Sequence, residues 1–353
     1  MSNEGSKKSA GQKAWVTLLT DKTYVAGLLV LLSSLKHHGT KYPMVAMVNP
    51  LIMRNGDPTE PLPQEYREIL TSAGVILKEV DYLVPQAGGY RGVEARFIDS
   101  WSKLRVFGLS EYERVVLIDS DMLTRKNMDD LFDLPLEKGW IAASHACTCN
   151  PMRIPHYPPS WIPETCGHTH AKPAKAGPDA LCTAFQPVPE SVITLHSINS
   201  GLVVLEPSDE LNSQIIHGLN TDPEVTNQII HGLNTDPEVT KYGFPDQDFL
   251  SSHFRNRVKF LGYEYNALKP MRKCHNVIWR DENVRNVHYI LKDKPWVLPE
   301  GTDKLDEQFH VVHEWWWDEW RRLEAEMKKE KWWGLVVDLT AVGTGSTGLT
   351  TRN

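Results

Sequence analysis

The first 118 residues alternate two kinds of pattern, and this alternation limits the fold more than any other feature. Residues 14–19, 44–48, 75–80 and 115–118 are short apolar runs with β-branched content, read as strands. Between them, Val25, Leu28, Leu29, Leu32 and Leu35 recur at helical spacing, 63–73 opens with Pro63 in a first helical turn, and 96–109 reads as a helix. Strands alternating with helices predict an α/β fold, Rossmann-like, with a mostly parallel central sheet and helices on both faces. In such sheets ligands bind at the carboxyl ends of the strands. Asp119-Ser120-Asp121 stands at one such end, directly after the apolar run RVVLI.

The second half is less regular. Residues 150–190 are rich in Pro, His and Cys and read as a long structured loop. Residues 198–205, 258–261 and 287–290 read as strands, and 305–331 as a charged helix carrying Trp315, Trp316, Trp317 and Trp320. The expected organisation is a loose tail at 1–13, one domain over 14–300 and the Trp-rich helix within 301–339. A second, Gly/Thr/Ser-rich tail follows at 340–353. The domain is expected to divide into two halves, 14–125 and 126–300. Residues 214–226 are repeated identically at 228–240. Two copies are too few for a solenoid. Each contains Gly and an Asp-Pro step, so each is expected to break any helix it enters.

Composition narrows the function. With 38 basic against 45 acidic residues the net charge is −7, which argues against a nucleic-acid partner. The longest apolar run, 25–32, is far short of the roughly 20 residues of a membrane span. Five cysteines without a visible secretory signal favour a reducing, cytoplasmic setting.

Two carboxylates one residue apart at a strand end can face one hard cation, Mn²⁺ or Mg²⁺. Asn199-Ser200-Gly201 begins a strand, Asp246 and Gln247 open a helix, and His288 precedes Lys292 and Lys294 as a metal ligand beside a phosphate clamp. Cys147, Cys149, Cys166 and Cys182, with His145, His168 and His170, crowd the irregular loop; zinc or ordinary thiols both suit them.

The order and spacing of these segments resemble glycosyltransferase family 8, whose members include glycogenins and galactinol synthases. The resemblance runs from about Trp15 to Trp320. It includes VTLLTDKTYVAGLLVLLSSLKHH, KLRVFGLSEYERVVLIDSDMLTRKNMDDLFD, INSGLVVLEPS, DQDFLSSHFRN, YNALKPM, NVHYILKDKPW and EWWWDEW. YNALKPM, the HY…KPW segment, the Trp-rich helix and the CTC pair are closer to the galactinol-synthase type.

The resemblance implies a GT-A fold, a UDP-sugar donor, Mn²⁺ and retention of anomeric configuration. Leu19, Thr20, Asp21 and Tyr24 would hold uracil and ribose. Asp119, Asp121 and His288 would bind the metal, with Ser120 between the two carboxylates. Arg96, Lys103 and Lys294 would meet donor phosphate or sugar. Asn199 and Ser200 would lie by the donor sugar, and Asp246 and Gln247 near its anomeric carbon. The implied partners are UDP-glucose or UDP-galactose, a small hydroxylated acceptor and a second copy of the chain in a homodimer. Two departures stand out. A glycine common three residues after the metal histidine is Leu291 here, and no tyrosine stands where glycogenins glucosylate themselves; Lys273 is near that place. The readings therefore run from a galactinol-synthase-like transferase, through a glycogenin-like glucosyltransferase, to a silent sugar-nucleotide binder.

Overall fold

The structure, a computed structural model, describes residues 11–54, 57–84, 98–154, 157–170, 172–173, 182–184, 193–221, 244–301 and 309–343. Strands β1 (Lys13–Leu19), β2 (Met44–Val48), β3 (Ile76–Glu79), β4 (Arg114–Ile118), β6 (Ile141–His145), β7 (Ile198–Leu205) and β8 (Val258–Leu261) form one seven-stranded sheet, ordered β8-β6-β7-β4-β1-β2-β3. Only β7 runs against its neighbours. β2, β4 and β6 are buried along their whole length, and β2 accordingly reads as an unbroken apolar run.

Helices cover both faces. On one lie α1 (Val25–His37) and α2 (Gln64–Ser72). On the other lie a 3₁₀ helix at Ser100–Gly108, α3 (Asp209–Thr221) and α4 (Pro245–His253). The 3₁₀ helix lies within the helix expected over 96–109. α1 is buried on nearly every side, because α5 (His310–Met327) and α6 (Trp333–Val337) pack over it as a further layer. Glu319 of α5 accepts from Ser33 Oγ at 2.6 Å, and the Trp316 and Trp320 rings stack at 5.4 Å. The Trp-rich segment is thus packing, as its i, i+4 spacing implied.

A small second sheet positions the site. β5 (Met122–Thr124) pairs antiparallel with β10 (Asn286–His288), which in turn pairs parallel with β9 (Ala267–Leu268).

Two expectations change. β1 begins at Lys13, inside the expected tail. Thr340 is fully buried and the Ala341 N–H donates to the Trp296 carbonyl at 2.8 Å, so the chain is packed through at least 341 and no tail begins at 340. Residues 214–221 of the first repeat copy carry α3 on through Gly218, and the Asp222-Pro223 step expected to break it lies outside the described residues. Gly218 is tolerated there because a Cβ would come within 3.1 Å of the His253 ring. Residues 222–243, the rest of the duplication, lie outside the described residues.

Candidate active site

The carboxyl ends of β1 and β4 meet the start of β7, and topology explains why. β7 is antiparallel to β4, with Leu202 opposite Ile118, so its first residues adjoin the residues that follow β4. The Asp119 N–H donates to the Gly201 carbonyl at 2.8 Å. The β7–β6 register shifts between Ile198 and Val203, an irregularity of the kind that re-aims side chains at sites. The β5–β10 pair sets His288 opposite Met122, one residue after Asp121.

The result is a cavity of about 300 Å³. Leu19, Thr20, Tyr24, Lys103, Asp119, Ser120, Asp121, Asn199, Ser200, Asp246, Gln247, His288 and Lys294 line it together. Asp21 is not among its lining: its carboxylate accepts from the Thr23 N–H and hydroxyl at 2.8 Å, capping the turn before α1. Arg96 lies outside the described residues.

At the centre, His288 Nε2 stands 3.3 Å from Asp121 Oδ1 and 3.7 Å from Asp119 Oδ2. Lysines flank the carboxylates. Lys103 Nζ is 2.8 Å from Asp119 Oδ1 and 3.4 Å from Asp246 Oδ2, while Lys294 Nζ donates to Asp121 and to the Tyr289 carbonyl. Burial alone would raise the Asp121 carboxyl, but Lys294 and His288 overcome it and hold the group far below the usual carboxylate range. Asp119 goes the other way: burial raises it, and Lys103 only partly offsets this.

The imidazole's orientation follows from a chain of amides. Asn199 Oδ1 accepts the Gly201 N–H at 3.1 Å, which fixes the Asn199 amide. Asn266 must therefore present its Nδ2 to that oxygen, at 2.8 Å, and its Oδ1 to His288 Nδ1, at 3.0 Å. Nδ1 carries the hydrogen and Nε2 is left as a lone pair facing both carboxylates. The chain continues from Asn199 Nδ2 to Gln247 Oε1 at 3.1 Å. Two carboxylates and one imidazole lone pair, with ligand atoms within 4.8 Å of one another, suit a hard divalent cation.

Some contributors were not visible in the sequence. Asn266 is fully buried and touches the metal set only through His288. Tyr157, Trp161 and Phe244 form an aromatic wall on the cavity, Trp161 stacking on Phe244 at 5.6 Å. Tyr157 and Trp161 sit in an aperiodic loop, where no spacing marks them. Leu291 adopts φ +75°, a left-handed conformation that favours glycine. Its side chain lines the cavity.

Asp248, next to this site, yields a pH prediction. Burial pushes its carboxyl up to about 7, opposed by the Phe244 N–H that donates to it at 3.0 Å. A carboxyl raised by folding keeps its proton where the unfolded chain has released it, so its contribution to stability falls as the pH climbs from about 4 towards 7. Asp248→Asn should remove that loss. Its melting temperature should gain on the parent's across this window and hold a constant gap above it. A gap independent of pH between 5 and 8 would refute the assignment.

Comparison with known proteins agrees with this geometry. The description "Glycosyl transferase family 8" matches residues 219–298, which hold Asp246, Gln247, Asn266, His288 and Lys294. The chain is 26% identical over 324 residues to galactinol synthase 1 of Ajuga reptans, covering 90% of this chain and 84% of that protein. It is 27% identical over 322 residues to galactinol synthase 7 of Arabidopsis thaliana, covering 89% and 83%. Among solved structures, the galactosyltransferase LgtC in complex with donor and acceptor sugar analogs aligns with TM-score 0.52 at 16% identity, over 91% of this chain and 99% of that one. That likeness shows the fold, GT-A.

Proposed function

We propose that the chain is a family 8 glycosyltransferase of the galactinol-synthase type, which moves galactose from UDP-galactose onto a small cyclic polyol, with Mn²⁺ and with retention of configuration. The carrying observation is the set Asp119, Asp121 and His288, closed between Lys103 and Lys294 at the strand ends. The relatives' name favours galactose over glucose and a polyol as acceptor.

The leaving group is a nucleoside diphosphate, and negative charge grows on its β-phosphate as the C1–O bond breaks. A bound divalent cation supplies Lewis-acid neutralisation of that charge. Lys294, reaching in from the turn after β10, offers a second positive charge without needing to reorganise. Lys103 stands between Asp119 and Asp246 and lessens their mutual repulsion. Gln247, held by Asn199, and Asp246 line the sugar's face. Asp246 Oδ2 has no hydrogen bond among the described residues and is paired only loosely with Lys103, at 3.4 Å. The acceptor hydroxyl attacks C1 from the side the diphosphate leaves, and its proton passes to the departing phosphate oxygen. Tyr157, Trp161 and Phe244 offer ring faces for an acceptor ring.

The test is UDP release with UDP-galactose and UDP-glucose in parallel, with Mn²⁺, against an acceptor screen led by myo-inositol. The product is read by mass spectrometry. Galactose on the polyol is the expected result. Hexose appearing on the protein itself would favour the glycogenin-like reading. No UDP release under any condition would leave a silent binder.

A further inference from the structure

Beside the nucleotide cavity the fold assembles a second cluster. Cys147 and Cys149 follow β6. Cys166 comes from the irregular loop, and Cys274 and His275 end a one-turn helix at Met271–Cys274. His275 Nε2 lies 3.4 Å from Cys147 Sγ, 3.2 Å from Cys149 Sγ and 3.5 Å from Cys166 Sγ, and Cys147 Sγ lies 3.8 Å from Cys274 Sγ. All of these cysteines are thiols.

These separations match one particular ligand cage. Zinc bonds of about 2.3 Å to sulfur and about 2.0 Å to nitrogen, at tetrahedral angles, place sulfurs about 3.8 Å apart and nitrogen about 3.5 Å from each sulfur. A disulfide needs about 2.0 Å between sulfurs, and no pair here is that close among those measured. Simple apolar packing of thiols accounts poorly for an imidazole nitrogen within 3.5 Å of three of them, because each sulfur is only a weak hydrogen-bond partner.

We propose that Cys147, Cys149, Cys274 and His275 bind one structural zinc ion, with Cys166 packed against it. One ligand atom from each of the four lies within 4.8 Å of the others, which leaves room for a single ion. The soft thiolates select zinc over the hard cation suited to Asp119 and Asp121. Cys182, which the sequence grouped with this cluster, pairs through its backbone with Leu261 and is not in the four-ligand set among the described residues, and His168 Nε2 meets the His145 carbonyl at 2.8 Å. The zinc would staple the turn at 146–154 to the segment 265–275. The first supplies Cys147, Asn150 and Pro151 to the cavity wall, and the second supplies Pro270 and carries Asn266, which orients His288. A closed four-ligand cage has no open position, so its role is structural.

The test is elemental analysis of the full chain, purified under reducing conditions without a metal-affinity tag. One zinc per chain is expected. Cys147→Ser/Cys149→Ser should lose it, while Cys182→Ser and Asp121→Asn should keep it, the latter separating this ion from the nucleotide site's. Stripping zinc from the unmutated chain with a strong chelator should lower the melting temperature by on the order of 10 °C, restored by zinc and not by Mn²⁺. Less than about a tenth of a zinc per chain in the unmutated protein would overturn the proposal, as would a disulfide within the cluster or full zinc retention in the double variant. Because the readout is metal content, a failure here leaves the transferase reading standing, and the reverse also holds.

Discussion

Asp121→Asn should lower Mn²⁺-dependent turnover by about a thousandfold, since losing several kcal/mol of charge stabilisation at the leaving group costs about that much in rate. The side chain keeps its size and loses its charge. One carboxylate of the metal set is gone, and Lys294 loses the anion that holds it in place. The same change should cost stability. From sequence alone this residue reads as a turn carboxylate whose loss the fold would tolerate. In the fold it is only 8% exposed and sits between Lys294 and His288. Removing one partner of a buried ion pair costs about 3 kcal/mol, because the remaining charge stays buried. Part of that is offset here, since the Tyr289 carbonyl still accepts from Lys294. Titration calorimetry of UDP with and without Mn²⁺, together with a thermal melt, checks both parts. Turnover within tenfold of the parent at equal Mn²⁺ would remove Asp121 from the metal set.

How far the sequence could be read depended on how local the cause was. β2, β7 and β8 carry the bounds predicted for them, and in β2 and β7 nearly every residue is buried, so both faces of the run are apolar. Asp119 and Asp121 were legible for a related reason: a polar pair ending an apolar strand is a local signal. The partners of those residues were not. Asn266 acts through His288, 22 residues on, and through Asn199, 67 residues back, and no local pattern couples them. Cys274 and His275 are more than 120 residues from the CTC pair, so the sequence grouped Cys147 and Cys149 with their neighbour Cys182 instead. Asp21 is ambiguous in the sequence because a cap role and a ribose contact ask for the same residue type at the same turn. The helix over 96–109 was legible, but its 3₁₀ form at Ser100–Gly108 was not, since apolar spacing alone does not separate an α-helix from a 3₁₀ helix.

Gly201→Ala should be nearly as damaging as the loss of a metal ligand, although Gly201 bears no functional group. A Cβ at this position would lie 2.3 Å from His288 Cε1 and 2.8 Å from both His288 Nδ1 and the Met122 Cε. Met122 ends in a flexible side chain that can turn aside. His288 has little freedom to do so: Asn266 holds its Nδ1, and the β10 ladder holds its backbone opposite Met122. The imidazole must therefore tilt, and Nε2 leaves its place at 3.3 Å from Asp121. Disturbing the support of a ligand typically costs 10- to 100-fold in metal affinity, and misplacement of about 1 Å costs about a hundredfold in rate. Half-saturating Mn²⁺ should rise by roughly the first factor and kcat fall by roughly the second, with about 1–3 kcal/mol lost to overpacking. Gly334→Ala in α6 is the matched control. Nothing lies within 4 Å of its added carbon, and a helix gains from the exchange. It should leave the Mn²⁺ dependence alone and hold or raise the melting temperature. If Gly201→Ala shows the parent's Mn²⁺ requirement, His288 is not a metal ligand, and the amide chain from Gly201 through Asn199 and Asn266 serves packing alone.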